Sequence, residues 1–487
     1  MDDDYKSKYV RQKIKYIKLK ERYIKQFGRG DDEDRMIIRL MEFNIENGGD
    51  LVDINKVVEA IMMVKPDIVA IEEACGNMEK LAKMTGYPFY NARAQLMSRF
   101  PIIDPSGGDG VYMFVEVRPG KIVAVSNVHL PSDPYGPDAL HRGATFEKVS
   151  RLENNLRVAA LERQLEILPE LVKKGIPVYL TGDFNVPSHM DCTKKVNKCF
   201  MWPISMKLER LGFRDSYREI YLDPKVNPGF TWWANRPRVR GWNPVSKDIH
   251  DRIDFIYSAG PSKTLDSVII GEPDVKDVSI NVTPWPSDHR AIMSTFSVLP
   301  AKMPTLISIN RRLIDIGDEI QIRYNITDNN IKKVQIRTAN NKIIYDADVS
   351  NDILTVKMDK FEGNFDAVLV GLDGEITHKI EFIVKPKDSE VLLNTKDKYK
   401  QGEPIVANWK YGPGNRFDWI AIRNLKHSSD KWKFKGATTN ARINGSTSFT
   451  KDNVSKWPLK PGKYEMVYMI DDCHDVAART TFEILKN

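Results

Sequence analysis

Between residues 36 and 299, short apolar runs alternate with stretches of helical spacing. The runs at 36–43, 67–71, 121–128, 176–180, 252–257 and 291–298 are brief and rich in β-branched residues, which predicts buried strands. Between them, 54–64 and 154–172 place apolar residues at helical intervals and predict helices. Strands and helices in alternation predict a layered α/β domain over 36–300. Near Leu299-Pro300-Ala301-Lys302-Met303-Pro304 the pattern changes. Apolar and polar residues then alternate, as in 319–324 and 332–337, turn residues are frequent and helical spacing disappears. That predicts antiparallel β-sandwiches. A second linker at Val384-Lys385-Pro386-Lys387-Asp388 divides this half into 303–386 and 387–487. Ile316-Gly317-Asp318-Glu319-Ile320 matches Lys400-Gln401-Gly402-Glu403-Pro404-Ile405 in spacing, so the two pieces read as tandem copies of one design.

Residues 1–35 stand apart. Lys and Arg recur through 5–25, and Val10, Ile14, Ile17 and Ile24 form a helical stripe. A basic amphipathic helix of this kind suits an anionic surface, or docking on the protein itself or a partner. Its repeated Tyr-Lys phrasing resembles leader segments of proteins of large DNA viruses. The formal charge of +7 and pI of 8.9 are compatible with a polyanionic substrate, although solubility alone accounts for them. Four cysteines, Cys75, Cys192, Cys199 and Cys473, are expected as free thiols in a reducing compartment, with Cys192 and Cys199 close enough in sequence to pair. The N-terminus lacks the apolar core of a signal peptide, and no run approaches the ~20 apolar residues of a membrane span. A soluble, intracellular protein is the expectation.

The chemistry gathers where the predicted strands end. Asn44 and Glu46 follow the first run, and Glu72 and Glu73 the second. Asn127 and His129 close the third, Asp183 and Asn185 follow the fourth, and Asp288-His289 precedes the last. Binding sites in sheet proteins are built on that edge. Each residue alone has an ordinary reading: Asn44 as a turn residue, Glu73 as a helix-terminal carboxylate, His129 as a core histidine. Asp254, within Ile253-Asp254-Phe255-Ile256, is harder to dismiss. An unpartnered carboxylate in a buried strand costs several kcal/mol, and His289 is its natural partner.

Taken together, Phe43-Asn44-Ile45, Pro66-Asp67-Ile68-Val69-Ala70-Ile71-Glu72-Glu73, Asn127-Val128-His129-Leu130, Thr181-Gly182-Asp183-Phe184-Asn185, Thr231-Trp232, Asp251-Arg252-Ile253-Asp254 and Ser287-Asp288-His289 resemble the endonuclease/exonuclease/phosphatase superfamily. Gly182–Asp191 in one-letter form, GDFNVPSHMD, resembles a subgroup that reads GDFNxPSHxDWT. The resemblance implies a four-layer α/β sandwich of DNase-I-like fold, here α+β overall, followed by two β-sandwich domains. It implies Mg²⁺ or Mn²⁺ on Glu73, with Asn44 and Asp288 beside it. Asp183 would orient the attacking water, Asn185 and His129 would hold phosphoryl oxygens, and Asp254 would orient His289. Arg252 and Asn127 are the expected substrate-binding residues. Two positions depart from the pattern: Glu72 stands where the superfamily has Gln, and Cys192 where the subgroup has Trp.

In the last piece, Asn415-Arg416-Phe417-Asp418-Trp419-Ile420 resembles SKICH-type immunoglobulin-like domains, with Trp419 expected as the sandwich's core tryptophan. The function expected is a metal-dependent phosphoesterase, a hydrolase of the nuclease kind. Nucleic acid is favoured over the alternative, a lipid or inositol-phosphate head group, because the Pro-Ala-Trp-x-Asp-Arg phrase of inositol 5-phosphatases reads Asp248-Ile249-His250-Asp251-Arg252 here. A non-catalytic binding protein on the same scaffold is the third reading.

Overall fold

The computed structural model describes residues 34–486 apart from 193–198, 240–249, 351, 426–434, 452–456 and 474. The basic helix expected over 5–25 lies outside the described residues. The catalytic-domain strands are β1 (Met36–Asn44), β2 (Ile68–Glu72), β3 (Phe89–Asn91), β4 (Leu96–Ser98), β5 (Ile102–Ile103), β6 (Met113–Arg118), β7 (Lys121–His129), β8 (Val178–Asp183), β9 (Arg214–Asp215), β10 (Asp254–Ala259), β11 (Ser262–Gly271), β12 (Val278–Asn281) and β13 (Ala291–Val298). They form two sheets, β12-β11-β13-β1-β2-β4-β3 and β5-β6-β7-β8-β10-β9, and Ala301–Lys302 pairs with β7.

Alternation along the central strands makes the layers. Leu40 and Ile38 of β1 point between the sheets, meeting Val115, Val123 and Ile256 of the other sheet. Met41 and Phe43 point outward to Val57, Ile61 and Leu81 of helices Ile54–Val64 and Met78–Thr85. On the far side, Ala124, Leu180 and Phe255 meet Leu161, Leu168 and Leu208. Three apolar interfaces between four layers follow from the period-two pattern. Helix Ile54–Val64 has its expected bounds: Asp53 caps its start by accepting from Asn55 N, and Lys65 turns left-handed (φ 47°) before Pro66. The helix expected over 154–172 divides instead into a π-turn, Asn154–Val158, and a helix, Glu162–Lys173. Arg157 explains the bulge, because its buried guanidinium reaches Glu153 and the carbonyls of Ser132 and Pro134.

The two C-terminal sandwiches share one topology. Leu306–Ile309, Glu319–Asn325 and Ile353–Lys357 face a five-stranded sheet in which Leu313–Asp315 runs parallel to Ile376–Lys385. Leu392–Asn394, Ile405–Lys410 and Gly445–Phe449 repeat the first sheet, and Lys398–Lys400 runs parallel to Val476–Leu485 in the second. The matched openings noted in sequence are the turns that carry the chain from one sheet to the other. Trp419 is not the core tryptophan of the last sandwich. It falls on the outward face of Trp419–Asn424, while Ile420, Ile422, Trp409 and Tyr468 fill the core.

Both sandwiches dock on the catalytic domain. Arg312 of the first forks onto Asp104 (3.0 Å twice), and Asp104 also takes Arg93 at 2.6 Å. Arg93 donates to the carbonyls of Gly414 and Ala441 in the second, and Arg416 returns the contact to Gly110 and Val111. The expectation of free thiols is overturned. Cys192 pairs with Cys199, and Cys75 pairs with Cys473 across 398 residues of sequence. Sequence spacing shows the first pairing but not one made by domain docking. With the thiols goes the compositional argument for a reducing compartment. Among the described residues no helix is long and apolar enough to cross a membrane.

Candidate active site

The register of the second sheet builds the centre. In β8, Asp183 lies opposite His129 of parallel β7 on one side and Asp254 of antiparallel β10 on the other. Gly182 permits this approach: its φ is +134°, and a Cβ there would meet the Val128 carbonyl. The other sheet brings its own strand end alongside, so Asn44 Nδ2 lies 3.2 Å from Asp183 Oδ2 and 3.3 Å from Glu73 Oε1. Ser287 ties the last loop to this edge by donating to the Asn44 carbonyl and accepting from His289 N. Glu73 and Asn185 both hold left-handed backbone, φ 56° and 50°, conformations that persist where surrounding contacts fix them. Asn47 N binds Glu73 Oε2 at 2.7 Å, and Asp183 Oδ1 accepts from Asn185 N at 2.8 Å.

Two imidazoles converge on one carboxylate oxygen. His129 Nε2 is 3.4 Å and His289 Nε2 3.7 Å from Asp183 Oδ2. Each ring is held from behind through Nδ1, His289 by Asp254 (3.0 Å) and His129 by Asp472 (3.1 Å). Burial, then Asp254, push Asp183 up to about 6 against the pull of both histidines. Burial also raises Asp288 to about 7, with Glu46 and Glu73 adding to it. Burial pulls His129 down, but Asp472, Asp183 and Glu73 outweigh it and lift the ring to about 10. His289 rises in the same way through Asp254, Asp183 and Asp288. The pocket thus holds an excess of negative charge.

That excess, and its oxygen donors, fit a hard divalent cation. Asp183, Asp254 and His289 have ligand atoms within 4.8 Å of one another, but Asp254 is engaged with His289. Glu73 and Asp288 line the open cleft and suit the cation better. Asn44 joins them only by turning its amide, because its oxygen now accepts from Glu46 N. Beneath this floor, between the sheets, Glu42 and Glu72 are fully buried, and none of their carboxyl oxygens has a hydrogen-bond partner among the described residues. Burial raises both, Glu72 to about 8, so the pair is held protonated at neutral pH.

Asn44, Glu73, His129, Asp183, Asn185, Asp254, Asp288 and His289 therefore meet at one floor, as the sequence leads one to expect. Arg252 and Asn127 do not reach it. Arg252 is buried beneath Phe255, bridging Asp191 and Asp215. Asn127 spends its amide on the Ile71 carbonyl and on the Thr181 hydroxyl. Both secure the frame. Sequence reasoning did not place Trp232, whose indole donates to Asp288, among the site residues, although its motif was noticed. It met Arg416 and Phe417 only within the immunoglobulin-like resemblance and gave no indication of Asp472. The floor opens into a cleft of 1840 Å³ lined by all three domains, with Arg93, Arg163 and Arg416 beyond His129.

A family model described as the Endonuclease/Exonuclease/phosphatase family matches residues 41–289, which contain every residue of the floor except Asp472. The chain belongs to this family. The family is one of phosphoester hydrolases, and the strand-end residues gathered here are the ones that the resemblance singled out. An uncharacterized protein of Caenorhabditis elegans, F14F9.5, is 29% identical over 291 residues, 54% of this chain and 92% of that protein. Among solved structures, D. rerio TDP2 complexed with single strand DNA product shares 15% identity over 53% of this chain and 98% of that one, with a TM-score of 0.34. An endonuclease/exonuclease/phosphatase family protein from Bacteroides thetaiotaomicron shares 14% over 54% and 96%, with a TM-score of 0.33.

Proposed function

We propose that this chain is a divalent-metal-dependent phosphodiesterase that cleaves nucleic acid. The observation that carries the reading is Asp183, a buried carboxylate at the base of an open cleft with an imidazole on either side. Asp183 orients the attacking water and takes its proton, a task suited to a carboxylate raised to about 6. His129, cationic at neutral pH, holds non-bridging phosphoryl oxygens and meets the charge that builds on them, and the Asn185 amide joins it by giving up its present bond to Asp183. His289, fixed by Asp254, faces the same oxygen of Asp183 and supplies a proton to the leaving group. Glu73, Asn44 and Asp288 would hold Mg²⁺ or Mn²⁺. When bound, that ion polarises the phosphoryl group and neutralises its charge.

Nucleic acid is favoured by the arginines. Arg93 and Arg163 are paired with Asp104 and Asp109, while burial, then Arg163 and Arg93, push Arg416 down to about 9, so its guanidinium would gain from a further anion in the cleft. A chain of phosphates meets that need along its length. The test is turnover by the full chain with Mg²⁺ or Mn²⁺ on single-stranded and duplex DNA, RNA, sphingomyelin and phosphoinositides. Cleavage of a nucleic acid that stops with chelator and falls at least ~10³-fold in His289→Ala is expected. Cleavage confined to the lipids would replace the substrate, and no cleavage of any of them would leave a binding protein on a hydrolase scaffold.

A further inference from the structure

The hydrolase floor is not closed by the catalytic domain alone. Of the two carboxylates that hold its imidazoles, one comes from the last sandwich, 343 residues along the chain from the histidine that it holds. Asp472 sits in the turn after strand Gly462–Met469, and both Asp471 and Asp472 are left-handed (φ 54° and 63°). Two such residues in succession are costly, and the turn is over-determined to keep them. Asp471 N donates to Asp418, which also accepts from Tyr468 and from Asn415 N. Asp472 N donates to the Phe417 carbonyl, and Cys473 N to that of Ile470. Cys473 is bonded to Cys75, two residues beyond Glu73. Phe417 stands edge-on to the His129 ring at 6.5 Å, and Arg416 is anchored on the carbonyls of Gly110 and Val111. One short turn is thus held from its own domain, and it is covalently tied to the loop that carries Glu73.

We propose that the last sandwich completes the active site, with Asp472 as the positioning residue of His129: it accepts from Nδ1–H and aims Nε2 at the floor, as Asp254 does for His289. The arrangement gives the sandwich a role in turnover that a spacer or docking module does not have. An imidazole that holds a phosphoryl oxygen must keep one ring orientation, and a hydrogen bond to its other nitrogen fixes that orientation. Within the described residues of the catalytic domain, Asp183 is the other ion-pair partner of His129, and it meets Nε2 rather than Nδ1.

The inference rests on the hydrolase reading for its kinetic consequence but not for its geometry, so two readouts are needed. The first is the proton spectrum of full-length chain labelled with ¹⁵N-histidine, with the His129 signal assigned by His129→Gln. Wild type is expected to show a protected downfield Nδ1–H for His129. Asp472→Ala should lose it, and Asp472→Asn, which keeps an acceptor oxygen, should retain it. The second is steady-state cleavage of the substrate found for the wild type. Asp472→Ala is expected to lower kcat by ~10–100-fold with KM changed by less than about threefold, and Asp472→Asn to recover most of it. A wild-type His129 without the protected proton, or an Asp472→Ala variant that keeps it, overturns the proposal whether or not the chain proves to be a hydrolase. An Asp472→Ala variant with wild-type kcat overturns it equally. A chain that cleaves nothing defeats the hydrolase reading, and the spectrum alone then decides the pairing.

Discussion

Two Asp–His pairs flank Asp183, and they differ in where they come from. Asp254 and His289 both belong to the catalytic domain: Asp254 opens β10 of one sheet, His289 lies just before β13 of the other, and the packing of the two sheets brings them together. His129 and Asp472 belong to different domains, and their meeting depends on how the last sandwich is docked. The first pair is as rigid as the packing of the two sheets within one domain. The second is as rigid as an interface of a few guanidinium–carbonyl contacts and one disulfide. An active site can therefore hold two near-equivalent groups by unequal means, and the weaker means is where regulation or damage would act.

The comparison can be broken from either side. The largest effect is expected from the internal pair: Asp254→Ala should lower kcat by ~10³–10⁴-fold, since it loosens His289 and leaves its charge unsupported. Arg252→Ala separates frame from floor on the strand that carries Asp254. It leaves buried Asp215 without its guanidinium and Asp191 with Arg218 alone, and should cost about 3–5 kcal/mol in chemical denaturation. Its KM in the folded fraction should stay at the wild-type value, whereas a residue that binds substrate would raise it.

A smaller effect lies beneath the floor. Glu72→Gln removes a carboxyl that burial pushes up to about 8, far above the ordinary glutamate range. A group raised in this way costs stability as pH climbs from its unfolded to its folded pKa. The variant should therefore match wild type near pH 4.5 and gain on the order of 4 kcal/mol by pH 8, read from urea unfolding of metal-free protein. A gain that does not grow with pH would mean that the pair is not protonated. The mildest change is the paired replacement Cys75→Ser and Cys473→Ser. It should lower kcat by about twofold to tenfold while the hydrogen bonds of the turn persist, and an effect equal to that of Asp472→Ala would assign the whole clamp to the disulfide.

Most of the internal pair was legible in the sequence. Short β-branched runs gave six central strands to within a few residues, and carboxylates, amides and imidazoles at their ends gave the floor. Helix Ile54–Val64 was legible to the residue, because Asp53 and Pro66 bracket it. Arg252 and Asn127 were misread because sequence proximity to Asp254 and His129 says nothing about which way a side chain turns. The π-turn at 154–158 was hidden because Arg157 does not show that it will turn inward. The external pair was illegible for a different reason. Asp471-Asp472-Cys473 looks like any acidic turn, and only the docking of two domains makes it part of the site. The disulfide partner of Cys75 was hidden in the same way.

The central claim is that Asp183, gripped between two imidazoles, performs phosphodiester hydrolysis. Its most direct test is single-turnover cleavage of single-stranded DNA in saturating Mg²⁺ by wild type and Asp183→Asn. The account predicts a fall of at least ~10³-fold in the cleavage rate, with DNA binding retained. An Asp183→Asn protein that cleaves within tenfold of wild type would contradict it.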